Sequence, residues 1–340
     1  YSNTDSTGNI AIGYFALRDG SGGSSRDYNI AIGQEAMRSG NSHVSIAIGY
    51  YAGKNIKNGG SGIVTIGHEA GAYSTGSNNT FMGYQAGRGK NTTAPYNQSN
   101  HNTIIGYRAG YSIENGSSNI IIGVDAGFYA SGSVSQLTAI GNMAGYRSTG
   151  GYSVAIGRNA AKEETGAYGW THVGNNAGTS QKVGSGNTNN SSFGYLAARY
   201  NVTGTSNTMI GAGAGQYNDA GHNTALGAYA FNGESGGSYA SENVAIGPSA
   251  LSKGVIGSFG RTIAVGPYAG RYATGSYNTF MGYEAGYGGT TSAPYSSGQN
   301  NVAMGYQALR GFTTGYENVA IGYEAGESIT TGFYNTLVGY

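Results

Sequence analysis

Apolar residues recur along this chain in short alternating clusters, each closed by a glycine. The first two are Asn9-Ile10-Ala11-Ile12-Gly13 and Asn29-Ile30-Ala31-Ile32-Gly33, and the last is Asn335-Thr336-Leu337-Val338-Gly339. The closing glycine falls at 13, 33, 49, 67, 83, 106, 123, 141, 157, 174, 194, 211, 227, 247, 266, 282, 305, 322 and 339. These 19 copies lie 16 to 23 residues apart, with a mean near 18. The residue before the glycine is apolar in all 19 and most often Ile. The third before (minus-three) is Val, Ile or Thr in 18 of 19, with Ser191 the exception. The second before (minus-two) is most often Ala, with Phe81, Phe280 and His172 among the departures. Alternation with period two in β-branched residues predicts one strand per copy. Minus-three and minus-one side chains then share a face, and minus-two points the other way. The β-branched minus-three column is expected to face inward.

Other columns sharpen the repeat. The plus-three residue is Ala in all 18 copies that have one, from Ala16 to Ala325, so that site admits only a methyl group. Plus-four is Gly in 11 of 18. The central glycine never varies, which requires positive φ or close backbone approach. Plus-one is Tyr in 9 of 19, yet Pro at Pro248 and Pro267, which places it at a corner and not in a central ladder. Minus-four is Asn in 13 of 19, suited to a turn or to a stacked amide ladder.

Connectors rich in Gly, Ser, Thr, Asn and Tyr absorb the length variation, from 7 to 14 residues. The two longest, Arg88–His101 and Tyr287–Asn300, share a core at Thr92–Tyr96 and Thr291–Tyr295. Their surroundings match at an offset of 199, and Ala72–Gly87 and Arg271–Gly286 agree at 12 of 16 positions. Eleven copies therefore form a super-repeat.

One short strand per copy buries nothing alone, but stacked coils pair equivalent strands. The fold class is all-β, a parallel β-solenoid of about 19 coils, which gives a rod of roughly 90 Å. A three-sided coil needs three aliphatic faces, and only one is regular here. The pattern therefore predicts a flat β-roll coil of two short strands and two turns. Residues 1–340 read as one repetitive domain. They begin at Tyr1 inside the repeat, as expected for a segment of a longer fibre. So thin a roll is expected to pack against copies of itself.

The phrases Ser153-Val154-Ala155-Ile156-Gly157, Asn243-Val244-Ala245-Ile246-Gly247 and Asn318-Val319-Ala320-Ile321-Gly322 resemble the head repeat of YadA-like trimeric autotransporter adhesins. The same repeat occurs in phage tail fibres and other bacterial surface fibres, which the variant at Asn79–Gly87 resembles more. The resemblance spans nearly the whole chain. It implies a left-handed β-roll, three chains around one axis, and an extracellular, cell-surface or virion location. The mean coil is longer than the adhesin head's, and no stalk, membrane anchor or chaperone domain is recognisable.

Composition narrows the functions. Lys+Arg 17 against Asp+Glu 16 leaves +1, with no electrostatic basis for nucleic acid or an anionic membrane. There is no Cys, hence no disulfide framework. Gly 64 without a strict triplet, and only 4 Pro, exclude collagen. The five His (His43, His68, His101, His172 and His222) fall in unrelated columns, so no metal site, cofactor or catalytic cluster is expected. Glu163 and Glu164, the one acidic pair, sit beside Lys162 and read as a solvated loop. Sequons at Asn91, Asn97, Asn115 and Asn201 are as frequent as this composition makes by chance.

No enzyme is expected. The function expected is a structural and adhesive extracellular fibre: a homotrimeric rod presenting loops to glycans, host-surface molecules or other fibres. A phage tail-fibre shaft with glycan receptor binding is the alternative. A glycan-processing spike lacks carboxylates, and an ice-binding solenoid needs an outward Thr array. Candidate recognition residues are Thr92, Pro95, Tyr96, Thr291, Pro294 and Tyr295 on the long connectors. Candidate surface aromatics are Tyr84, Tyr107, Tyr283, Tyr306 and Tyr323, which serve either as a packing ladder or as a surface for stacking on sugars.

Overall fold

The computed structural model describes residues 7–19, 27–39, 42–56, 60–89, 99–130, 134–180, 186–187, 189–234, 241–253, 260–289 and 295–340. The chain divides into two compact units, Tyr1–Gly169 with Gly184–Gly186, and Trp170–Val183 with Asn187–Tyr340. Each is a parallel β-solenoid, and neither contains a helix among the described residues. In the first unit nine strands run from Ile10–Ile12 to Ser153–Ile156, and each pairs with the next. In the second, ten strands run from Thr171–Val173 to Thr336–Val338 in the same manner.

The register is set residue for residue. Ala31 pairs with Ala47, and Phe280 with Ala303, although the two coils differ in length by seven residues. Connectors take up the whole difference, because a one-residue slip would turn every side chain to the other face.

The orientation of the strands is opposite to that expected from the pattern. The small minus-two residue is buried: Ala31, Ala155, Ala245 and Ala320 are all at 0% exposure. The β-branched minus-three and minus-one residues point outward, as in Ile30–Ile32, where both Ile flank a buried Ala. The reason is volume. Each coil is so thin that the plus-three Ala column, also buried, faces the minus-two column across the interior. Two rows of Ile would not fit in that space.

Apart from the two-residue strands Ala167–Tyr168 and Gly186–Asn187, only one strand forms per coil among the described residues; overlapping turns take the place of the second strand expected of a β-roll. In the coil of Gly49, the N–H groups of Ala52, Lys54 and Ile56 donate to the carbonyls of Gly49, Tyr51 and Gly53, at 3.3, 3.2 and 3.2 Å. Between them, Tyr51 N–H donates back to Gln34, while Gly53 and Asn55 donate forward to Ala70 and Ala72. Alternate amides thus bond within the coil and between coils, and none is orphaned in this run. The geometry puts the plus-two and plus-four residues in the left-handed region, Tyr51 at φ 57 and Gly53 at φ 55. That explains the glycine preference at plus-four.

The minus-four asparagines form the amide ladder. Asn102 N–H donates to Asn79 Oδ1 at 2.9 Å, and its Nδ2 donates to Gly116 O at 3.0 Å. Asn119 repeats the pattern onto Asn102 and Val134. Asn79, Asn102, Asn119 and Asn190 each bond both the next coil and a connector carbonyl, so such an amide cannot become apolar without a substitute filling the space. Ile63, Leu137 and Trp170 supply that substitute where the ladder breaks, and all three are buried.

Candidate functional site

The outward strand face is the largest chemical feature of each unit. In both, the minus-one side chains form an unbroken apolar row along the stack, beside a minus-three row in which Val and Ile are interspersed with eight Thr and Ser191. Ile120 and Ile263 are each 43% exposed, and Leu226 is 45% exposed. Isolated exposed apolar residues are ordinary, but an unbroken apolar row is not.

The plus-one column edges this face. Tyr50, His68, Tyr84 and Tyr107 stack in sequence with ring centroids 5.0, 5.0 and 5.2 Å apart. Tyr283, Tyr306, Tyr323 and Tyr340 do the same at 5.3, 4.9 and 5.1 Å. The rings within each run are near parallel, so each covers its neighbour's face. The column therefore presents ring edges and hydroxyls outward. In the first unit the run ends at Val124, Asn142 and Arg158. In the second it starts only after Pro248, Pro267 and the edge-on ring of Tyr268.

On the turn side, ion pairs bind coil to coil. Glu69 accepts from Gln85 and Arg88 of the next coil, at 2.7 and 2.8 Å. Glu284 accepts from Gln307 and Arg310 in the same geometry. Burial raises the pKa of both carboxyls, but these hydrogen bonds and the Arg charge outweigh it and hold them below the ordinary range. Glu284 in turn pushes the phenol of Tyr283 up.

Of the connector candidates, Thr92, Pro95, Tyr96, Thr291 and Pro294 lie outside the described residues. Tyr295 is half-buried, with its hydroxyl donating to Glu234 at 2.9 Å and its ring 5.8 Å from Tyr272. Among the sequons, Asn201 is buried and its Oδ1 accepts the Gly204 N–H, whereas Asn115 is exposed. Asn91 and Asn97 lie outside the described residues.

His68 belongs to the tyrosine column. His172 is buried in the minus-two column, with Nδ1 2.6 Å from Ser192 Oγ. Among the described residues no group of three or more His, Asp or Glu is placed to hold a metal ion.

Glu164 corrects the reading of the acidic pair. Glu163 is on the surface with Arg147 at 3.3 Å, but Glu164 is fully buried. It occupies the plus-seven position, which Ile56, Ile113, Ala130 and Phe312 fill with buried side chains elsewhere. In the sequence that column is mixed, with Lys90, Gln181 and Glu234 beside the apolar residues, so it gave no signal that would have placed Glu164 inside. Burial pushes its carboxyl well above the ordinary value. A carboxyl with a raised folded-state pKa contributes its stability fully below the unfolded pKa. That contribution is lost as pH rises through the folded value. Glu164→Gln is therefore expected to stabilise the protein at neutral pH, by roughly 1 kcal/mol or more. The gain should shrink toward zero in acid. Urea midpoints of both chains across the acid-to-neutral range check this; a pH-independent difference would contradict it.

Compared with known proteins, the chain matches no protein-family model and none of the curated proteins.

Proposed function

We propose that this chain is a segment of a structural and adhesive extracellular fibre, a left-handed β-solenoid in which three copies pack their outward strand faces around one axis. The observation that supports it is the outward face of each unit, where the apolar minus-one row runs without a break through nine strands in one and ten in the other, beside a minus-three row of Val, Ile, Thr and Ser. Covering a half-exposed Ile is worth on the order of 1 kcal/mol. Rows of this length leave a large driving force for association, and a second copy of the same flat face is the surface that matches it rank for rank. The tyrosine columns border that seam. Attachment to glycans, host molecules or other fibres falls to the long connectors, Arg88–His101 and Tyr287–Asn300, since packing leaves the strand columns little freedom to vary.

Sedimentation of the purified chain should give about three times its 34.7 kDa mass. Ile122→Lys with Ile246→Lys, one in each unit's outward row, should yield single chains with unchanged β-sheet circular dichroism. A folded wild-type monomer at micromolar concentration would refute the assembly.

The outward threonines bear on ice binding. Thr80, Thr103, Thr138, Thr171, Thr208, Thr224, Thr279 and Thr336 face outward and not inward, since they share the exposed side of their strands. They come in runs of at most two successive coils, and the adjoining minus-one column is apolar throughout. That array suits a protein seam better than a regular hydroxyl lattice.

A further inference from the structure

Three of the six methionines stand on the outward face. Met82 is 40% exposed, Met281 39% and Met304 37%. Met37 and Met209 are fully buried in the interior, and Met143 is half-buried on the turn side. Each of the three exposed ones is a minus-one residue and stands two positions before a tyrosine of the stacked column: Tyr84, Tyr283 or Tyr306. Met281 and Met304 are register partners in adjacent strands, so their side chains are neighbours in one row. In most other coils this position is Ile, which is chemically inert.

We propose that Met82, Met281 and Met304 are oxidation sites that control self-association: their sulfoxidation in the unassembled chain blocks packing of the strand face. This rests on the trimeric reading above. Hydrogen peroxide supplies the oxygen. A sulfur lone pair attacks the peroxide, an S–O bond forms, the O–O bond breaks, and water leaves. The sulfur loses two electrons and the peroxide gains them.

The product is a strong hydrogen-bond acceptor with no donor of its own. On this face the backbone amides lie in the plane of the sheet, committed to the parallel ladder, and the side-chain donors of the same strands are the Thr80 and Thr279 hydroxyls, two residues before Met82 and Met281; Met304 has Val302 there. Covering the sulfoxide with a partner's apolar minus-one row then carries a strongly hydrated polar group out of water into the seam, with no same-strand donor at Met304. Three such groups per chain should weaken association on the order of a hundred-fold or more. Once assembled, the seam shields the same sulfurs. The step is reversible by methionine sulfoxide reductases, as the chemistry of this modification allows.

Two triple variants test this without relying on oxidation alone. Met82→Gln/Met281→Gln/Met304→Gln places a polar side chain of similar length on the face. Met82→Ile/Met281→Ile/Met304→Ile removes the sulfurs and copies the commonest residue of the column. Both are studied by sedimentation and circular dichroism beside the wild type, untreated and treated with peroxide while dilute. The expected result is a trimeric wild type and Ile variant, and a folded but dissociated Gln variant. Peroxide should dissociate the wild type only, with peptide mass mapping placing oxygen on Met82, Met281 and Met304 and sparing Met37 and Met209. If the Gln variant and the oxidised wild type stay trimeric, the inference falls and the trimeric reading stands. If the untreated wild type and Ile variant are both monomers, both fall. Loss of β-sheet signal in the Gln variant would show that these side chains support the single chain's fold, and would overturn the assignment as well.

Discussion

Gly106→Ala is expected to unfold the first unit's solenoid locally, with a loss of about 3–5 kcal/mol. A Cβ at Gly106 would sit 2.5 Å from the carbonyl oxygen of Gly123 in the next coil, which is backbone and cannot swing away. Its φ of 134 adds strain, since side chains rarely adopt that conformation. The φ constraint holds through the column, where it runs from 122 to 139, and Gly33, Gly211 and Gly305 make the same close approach, while a Cβ at Gly339 would meet nothing within 4 Å. Gly145→Ala is the contrast. Its Cβ would meet nothing closer than the Ala139 methyl at 3.4 Å, and its φ of 55 lies in a region other residues of this column occupy. About 1 kcal/mol is expected there. Denaturant midpoints of the two variants separate the arguments: equal losses would show that backbone conformation matters and the close approach of coils does not.

Phe280→Ala should cost about 3–5 kcal/mol, and a second substitution should restore part of it. Phe280 is fully buried in the minus-two column, where most coils have Ala. The plus-four residue of its coil is Gly286, and a side chain there would run into the Phe280 ring. The same exchange recurs. Ile104 is matched by Gly110, whose added Cβ would lie 2.8 Å from its Cδ1. Where minus-two is Ala, plus-four is often large: Ala31 with Met37, Ala225 with Phe231, Ala245 with Leu251, Ala303 with Leu309. The two columns share one volume. Gly286→Leu alone should overpack and lose about 1–3 kcal/mol. Phe280→Ala with Gly286→Leu copies the next coil, with its Ala303 and Leu309, and should recover at least about 1–2 kcal/mol relative to the sum of the single losses. Leu251 and Leu309 already adopt the required φ, at 48 and 47. Additive losses in a denaturation double-mutant cycle would show that the columns do not share the space.

The sequence alone determined the parts of this fold that depend on local chemistry repeated in register. Period-two alternation located the strands, and the invariant glycines and the Asn column marked positions where coil must approach coil. The plus-three Ala column declared a narrow interior. Even the exchange between minus-two and plus-four is written in pairs such as Ala303 with Leu309 and Phe280 with Gly286, and reading the columns jointly would have found it.

What the sequence left open is which side of the strand is inside, and only the tertiary structure decided it. Alternation is symmetric under exchange of faces, so Ile30-Ala31-Ile32 fits a thick roll with Ile inward or a thin one with Ala inward. Interior volume breaks that symmetry, and it is set by the opposite wall of the coil, where Ala36 is fully buried. The same wall decided that turns in left-handed conformations, and not a second strand, would close the coil. It carried Glu164 into the interior while Glu163, one residue earlier, stayed at the surface. The face that the pattern assigned to a core is thereby turned outward, because so thin a coil holds one large side chain across its minus-two and plus-four columns, as at Phe280 or Leu309, and has no room for two rows of isoleucine.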